Sequence, residues 1–141
     1  MSKYSSIVVA CLFAALCGCS DPARPHLERL VRDWGIVVAT GYTHSDDYTR
    51  DQQRVHRFHE QSEAMSKMLE EFLADDPPVS DELKTLLRDW KKVNDENAEL
   101  HARMIAENRY IYTEAEKDRV DALIRADSAG AVDLMGHLEG Y

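Results

Sequence analysis

Ala74-Asp75-Asp76-Pro77-Pro78-Val79-Ser80-Asp81-Glu82-Leu83 divides the two longest apolar-periodic stretches of the chain. Proline has no amide hydrogen to continue a helical ladder, and it pushes the residue before it out of the α region. A helix arriving from upstream therefore ends near Ala74. Ser80 then supplies a side-chain oxygen suited to an N-cap, and Asp81 and Glu82 fall in the first turn, where acids complement the positive end of the helix dipole. Upstream, Tyr48, Val55, Phe58, Met65, Leu69, Phe72 and Leu73 form the apolar line of a helix that begins near Ser45 or Asp46. Downstream, Leu83, Leu86, Leu87, Trp90, Val93, Leu100, Met104 and Ile111 form the next. Both lines keep near-heptad spacing, the pattern of helices packed along their length. A short turn between them makes the pair antiparallel.

Further out, Thr113-Glu114-Ala115-Glu116 is a capping box, with Thr113 as N-cap and Glu116 reaching back to it. It either restarts the chain as a separate helix or punctuates a longer one. The helix it opens carries Val120, Leu123, Ile124, Leu134, Met135 and Leu138, with small residues from Ser128 to Ala131 in its middle. Before the hairpin, Leu27, Leu30, Val31, Trp34, Val37 and Val38 mark a helix from about His26 to Gly41, with Gly35 as its weak point. The expected fold is all-α: an up-and-down antiparallel helical bundle of three to four helices over residues 26–141.

The heptads are interrupted by polar residues. With Leu83 at position a, the series runs Leu83, Trp90, Asn97, Met104, Ile111, and the flanking e series runs Leu87, Asn94, His101, Asn108. The upstream helix has Ser62 at a and His59 at e. Folding the hairpin about Pro77-Pro78 sets His59 and Ser62 level with Asn94 and Asn97, and His101 near residue 54, within reach of His56 or His59. A buried polar layer of His59, Ser62, Asn94 and Asn97 is thus expected. Such a layer costs stability but selects register and partner. The same region holds the candidate metal ligands His56, His59 and His101, since imidazole suits zinc, copper, nickel or iron. Met65, Met68 and Met104 are spread too far along the hairpin to join them, by roughly 20 Å at 1.5 Å per residue, and read as core filler.

The N-terminus has a different character. Lys3 is the one charge before Asp21, and Ile7 to Leu16 is an apolar run too short to cross a bilayer, which takes roughly 20 residues. Leu16-Cys17-Gly18-Cys19 follows. Together these resemble the signal and lipobox of bacterial lipoproteins, with Cys17 standing where Ala or Ser is usual. The resemblance covers residues 1–19. It implies a signal peptide over residues 1–18, cleavage before Cys19, and acylation of Cys19 as the lipid anchor; after it, Ser20-Asp21-Pro22-Ala23-Arg24-Pro25 reads as a short linker. It further implies, from Ser20 after the acceptor, the periplasmic face of the outer membrane rather than the inner membrane.

Composition narrows the rest. Cys11, Cys17 and Cys19 are the only cysteines, so the body has no disulfide and depends on packing. Removing residues 1–18 takes away Lys3 and no acid, leaving 16 basic against 26 acidic side chains and a net charge of −10. Nucleic acid is a poor partner for such a chain. No Gly-rich phosphate loop, Gly-x-Ser-x-Gly elbow, metalloprotease motif or haem-attachment motif occurs, so neither catalysis nor a cofactor is expected. The expected function is a membrane-tethered, non-catalytic helical module that binds an envelope protein, with Tyr110, Tyr112 and Tyr141 as contact points. The alternatives are a small periplasmic metal- or haem-binding bundle using His59 and His101, and an accessory or inhibitory subunit of an envelope complex.

Overall fold

A computed structural model describes residues 21–41 and 50–139. The described residues form four helices: α1 (Arg24–Gly41), α2 (Arg50–Ala74), α3 (Asp81–Ala106) and α4 (Glu114–Glu139). Residues 1–20, expected to hold the signal and Cys19, the segment with His44, Ser45 and Tyr48, and Tyr141 lie outside the described residues.

Each terminus has a local cause. Ahead of α1, Asp21 accepts the Ala23 amide at 2.8 Å on its side chain and the Arg24 amide at 3.0 Å on its carbonyl. Pro25 then sits in the first turn, where a missing N–H costs nothing. The helix thus begins inside the segment assigned to a linker, and Ala23 is already buried in the core. α2 stops as expected at Ala74, and Asp76 enters the left-handed region at φ 41°. Ser80 caps α3, accepting the Leu83 amide at 3.2 Å.

α3 ends sooner than its apolar line suggests. Asn108 adopts φ 50°, the Asn108 amide bonds the Ile105 carbonyl at 3.0 Å, and the Arg109 amide bonds the Met104 carbonyl at 2.9 Å. This is a Schellman ending, with asparagine in the left-handed position usually held by glycine. Asn108 and Ile111 therefore leave the heptad series, and Ile111 is 71% exposed. Thr113 opens α4 as a separate helix: its amide donates to Glu116 at 2.8 Å and its hydroxyl accepts the Glu116 amide at 3.3 Å.

α2 and α3 share the most extensive contact; α1 packs on α2, α4 on α3, and α1 meets α4. The start of α1 lies beside the end of α2, where His26 meets Phe72 edge to face and Arg29 bonds Asp75. Residues from all four helices close the core: Ala23, Leu27 and Leu30; Met65, Leu69 and Phe72; Leu83, Leu87 and Trp90; and Leu134. Each fully buried side chain of this size contributes about 1.5–3 kcal/mol from removal of apolar surface. Gly130 is required here: a Cβ on it would lie 2.7 Å from Cγ of Trp90.

The hairpin contacts run a few residues above the expected register. Ser62 meets Asn97 as expected, while His101 packs on the Phe58 ring, with Arg54 and His59 of α2 close enough to act on its charge. Helical side chains lean toward their own N-terminus. On antiparallel neighbours the leans are opposite, so residues that touch carry higher numbers than residues whose Cα atoms are level.

Candidate functional site

Beyond Trp90 the α2–α3 interface turns polar. Ser62, Asn94, Asn97 and His101 are buried, and His59 is half-buried at its edge. Asn97 donates from Nδ2 to Ser62 Oγ at 2.8 Å. Its Oδ1 is buried with no hydrogen-bond partner among the described residues. An unsatisfied buried acceptor of this kind costs about 1–3 kcal/mol. Asn94 looks the other way, donating to the Trp90 carbonyl at 3.1 Å and to Asp127 Oδ1 on α4 at 3.0 Å. Trp90 Nε1 donates to the same oxygen at 2.6 Å. One carboxylate therefore fixes both the indole and the amide. At the rim, the Ser66 hydroxyl bonds Asp95.

His101 is fully buried and its tautomer follows from its neighbours. Nδ1 lies 2.7 Å from the Asn97 carbonyl, which can only accept, so Nδ1 carries the hydrogen. Nε2 lies 2.7 Å from the Tyr112 hydroxyl, which donates to it. The ring is neutral in this arrangement. Burial, the largest cause, lowers its pKa below the ordinary histidine value; Arg54 and His59 on α2 push the same way, while the Asn97 carbonyl and Glu116 oppose. His59 donates from Nδ1 to the Ala98 carbonyl at 3.2 Å and turns Nε2 toward Glu63 at 3.5 Å. His56 stacks on Tyr110 with centroids 5.8 Å apart. Each of the three histidines thus faces a different partner, and no group of three or more potential metal-ligating side chains converges among the described residues. The notion of a shared ligand set came from helical spacing alone, which places residues on a face without aiming their rings.

Tyr110 and Tyr112, expected as exposed contact points, are half-buried against His56 and His101. The α3–α4 turn holds a further cluster that sequence reading missed. Arg109 makes a two-pronged bond to Glu116, at 2.7 and 2.8 Å, and a third to Glu107 at 3.0 Å. The Arg109 guanidinium first, then the Thr113 amide, hold the Glu116 carboxyl at a pKa of about 2. Thr113 and Glu116 were legible as a capping box, but Arg109 carries no signal until the Schellman ending swings it toward Glu116. Asp127 was equally silent, one acid among many on a helix surface.

The surface is indented by open grooves. One of about 460 Å³ lies between α1 and α2, and one of about 490 Å³ between α3 and α4. No helix among the described residues is long and apolar enough to cross a membrane. No protein-family model, curated protein or solved structure matches this chain.

Proposed function

We propose that this chain is an envelope lipoprotein, tethered through acylated Cys19 to the periplasmic face of the outer membrane, whose helical bundle acts as a non-catalytic protein-interaction module. The observation that carries the reading is the order of its N-terminus: one positive charge, a short apolar run, and Leu16-Cys17-Gly18-Cys19. Several acyl chains on one residue give stable anchoring, because each buried CH₂ contributes about 0.8 kcal/mol. α1 begins at Arg24, soon after the tether. On this reading, the end holding the start of α1 and the α2–α3 turn sits nearest the bilayer. The α3–α4 turn then stands off by roughly the length of α3, about 39 Å for 26 residues. Tethering raises the effective concentration of the bundle at the membrane, so a modest interface suffices.

Support for a non-catalytic module comes from the seam. Apart from Asn97 Oδ1, its polar groups bond one another or nearby backbone and carboxylate groups, and their arrangement is that of a packing layer that selects one helix register. The test is mass spectrometry of the full-length gene product extracted from its own membranes. A polypeptide beginning at Cys19 with added acyl mass is expected. An unmodified chain, or cleavage elsewhere, overturns the proposal.

A further inference from the structure

We infer that the groove between α3 and α4 docks a cationic amphipathic helix of a partner protein. This rests on the reading of the chain as an interaction module and names the chemistry of what it binds.

The groove has a built floor. Leu86, Trp90 and Val93 of α3 face Ala129 and Gly130 of α4 across it. At Gly130 the Trp90 ring fills the place a Cβ would take, so α3 and α4 approach closely there. Beside that contact the small side chains Ala126 and Ala129 leave an open concavity of about 490 Å³. Its tryptophan is held in place: the indole N–H is committed to Asp127 and the backbone carbonyl to Asn94. Trp90 itself is buried, so a partner meets Leu86, Val93, Ala126 and Ala129 resting on a fixed indole, and does not have to freeze that support on binding.

The rim selects the partner. Glu82, Asp89 and Asp133 stand exposed along the groove, and no lysine or arginine is among its lining residues. From Glu82 to Val93 the groove follows α3 for about 16 Å, or some three helical turns. That length suits the apolar face of a helix, anchored at i, i+3 and i+4 positions, better than a compact ligand. Basic flanks on the incoming helix would meet the acidic rim, and the net charge of −10 calculated for residues 19–141 disfavours acidic competitors. The α1–α2 groove lacks this character. Arg29 crosses it, bonded to Asp75 at 3.2 Å and stacked over Phe72, so its charge is already matched.

The test uses the full chain with its native anchor, in nanodiscs of phosphatidylcholine, and a dye-labelled helical peptide of about 18 residues with leucine on one face and lysine on the other. Binding is read by fluorescence anisotropy against empty nanodiscs. The lysine peptide is expected to bind and its glutamate counterpart not to. Ala129→Trp, which fills the groove, and the triple reversal Glu82→Lys/Asp89→Lys/Asp133→Lys should each weaken binding roughly tenfold or more. A matched reversal on α2, Glu60→Lys/Glu63→Lys/Glu70→Lys, should change it little. The rim variant alters only exposed side chains, so it remains informative if Ala129→Trp fails to fold. No binding above the empty nanodisc, or equal weakening by the rim and α2 reversals, overturns the inference. The mass of the same preparation separates the two claims. An acylated chain that ignores the peptide ends the groove proposal alone, and an unacylated chain ends the tether whether or not the peptide binds.

Discussion

From Leu69 to Leu87 the interior is closed by apolar side chains of all four helices; from Ser62 to His101 the same two central helices meet through amides, a hydroxyl and an imidazole. The apolar half supplies stability through area removed from water, which is non-directional and tolerates small slips. The hydrogen bonds of the polar half add little net energy to what buried Val55, Leu100 and Met104 contribute there, since each replaces a bond to water. A slip of one turn, however, would strand Asn97, Ser62 and His101 without their partners. One half holds the helices together, and the other states which residues must face each other.

The comparison can be broken most sharply in the apolar half. Leu83 is fully buried among α1, α2 and α4 residues, and Leu83→Ala should lower unfolding stability by about 3 kcal/mol, measured by urea denaturation of the full chain. A smaller loss under about 1 kcal/mol would mean that this half is not close-packed. Gly130→Ala comes next, because two effects compete. Helix propensity favours alanine by about 1 kcal/mol, yet a Cβ 2.7 Å from the Trp90 ring overpacks the contact by about 1–3 kcal/mol. Overpacking should win, and Gly130→Ala should destabilise; a rise in melting temperature would show that Trp90 yields freely.

The polar half should answer in the opposite direction. Replacing both partners at once, Ser62→Ala with Asn97→Leu, removes the orphaned Asn97 oxygen and should stabilise the fold by about 1 kcal/mol. Amide NMR spectra of the double variant should broaden or multiply as alternative helix pairings become accessible. A single sharp set of resonances would remove the register role from this layer. The smallest effect is the pH response of His101. Because burial lowers its pKa beneath 6.5, the unfolded chain takes up the proton first. Its contribution is fully present above about pH 6.5 and is lost as pH falls toward the folded value. Stability should decline as pH falls below about 6.5, with a shallower slope in His101→Gln. Equal slopes would mean that the ring is solvated.

Much of this was legible in the residues themselves. The turn at Pro77-Pro78, the Ser80 cap, the Thr113 capping box and the apolar stripes act within a few residues along the chain, so local spacing is enough to read them. The polar positions Ser62, Asn94, Asn97 and His101 were legible as exceptions to a heptad. Helix ends set by a left-handed residue were not: Asn108 reads as one more polar position until its backbone closes the Schellman ending, and Ile111 reads as core until the helix stops before it. Asp127 and Arg109 were hidden for the reason that hides most long-range partners, since their roles depend on which helix lies alongside.

The sequence by itself determined where the chain turns, which faces are apolar, and the lipobox on which the proposed membrane address rests, because caps, proline and periodicity are properties of neighbouring residues. Tertiary structure alone decided that His56, His59 and His101 look to Tyr110, to Ala98 with Glu63, and to Asn97 with Tyr112, that Asp127 fixes Trp90, and that Gly130 lets α4 pack directly on the Trp90 ring. Those facts depend on side-chain lean and on the distance between helix axes, which are set only when all four helices settle against one another.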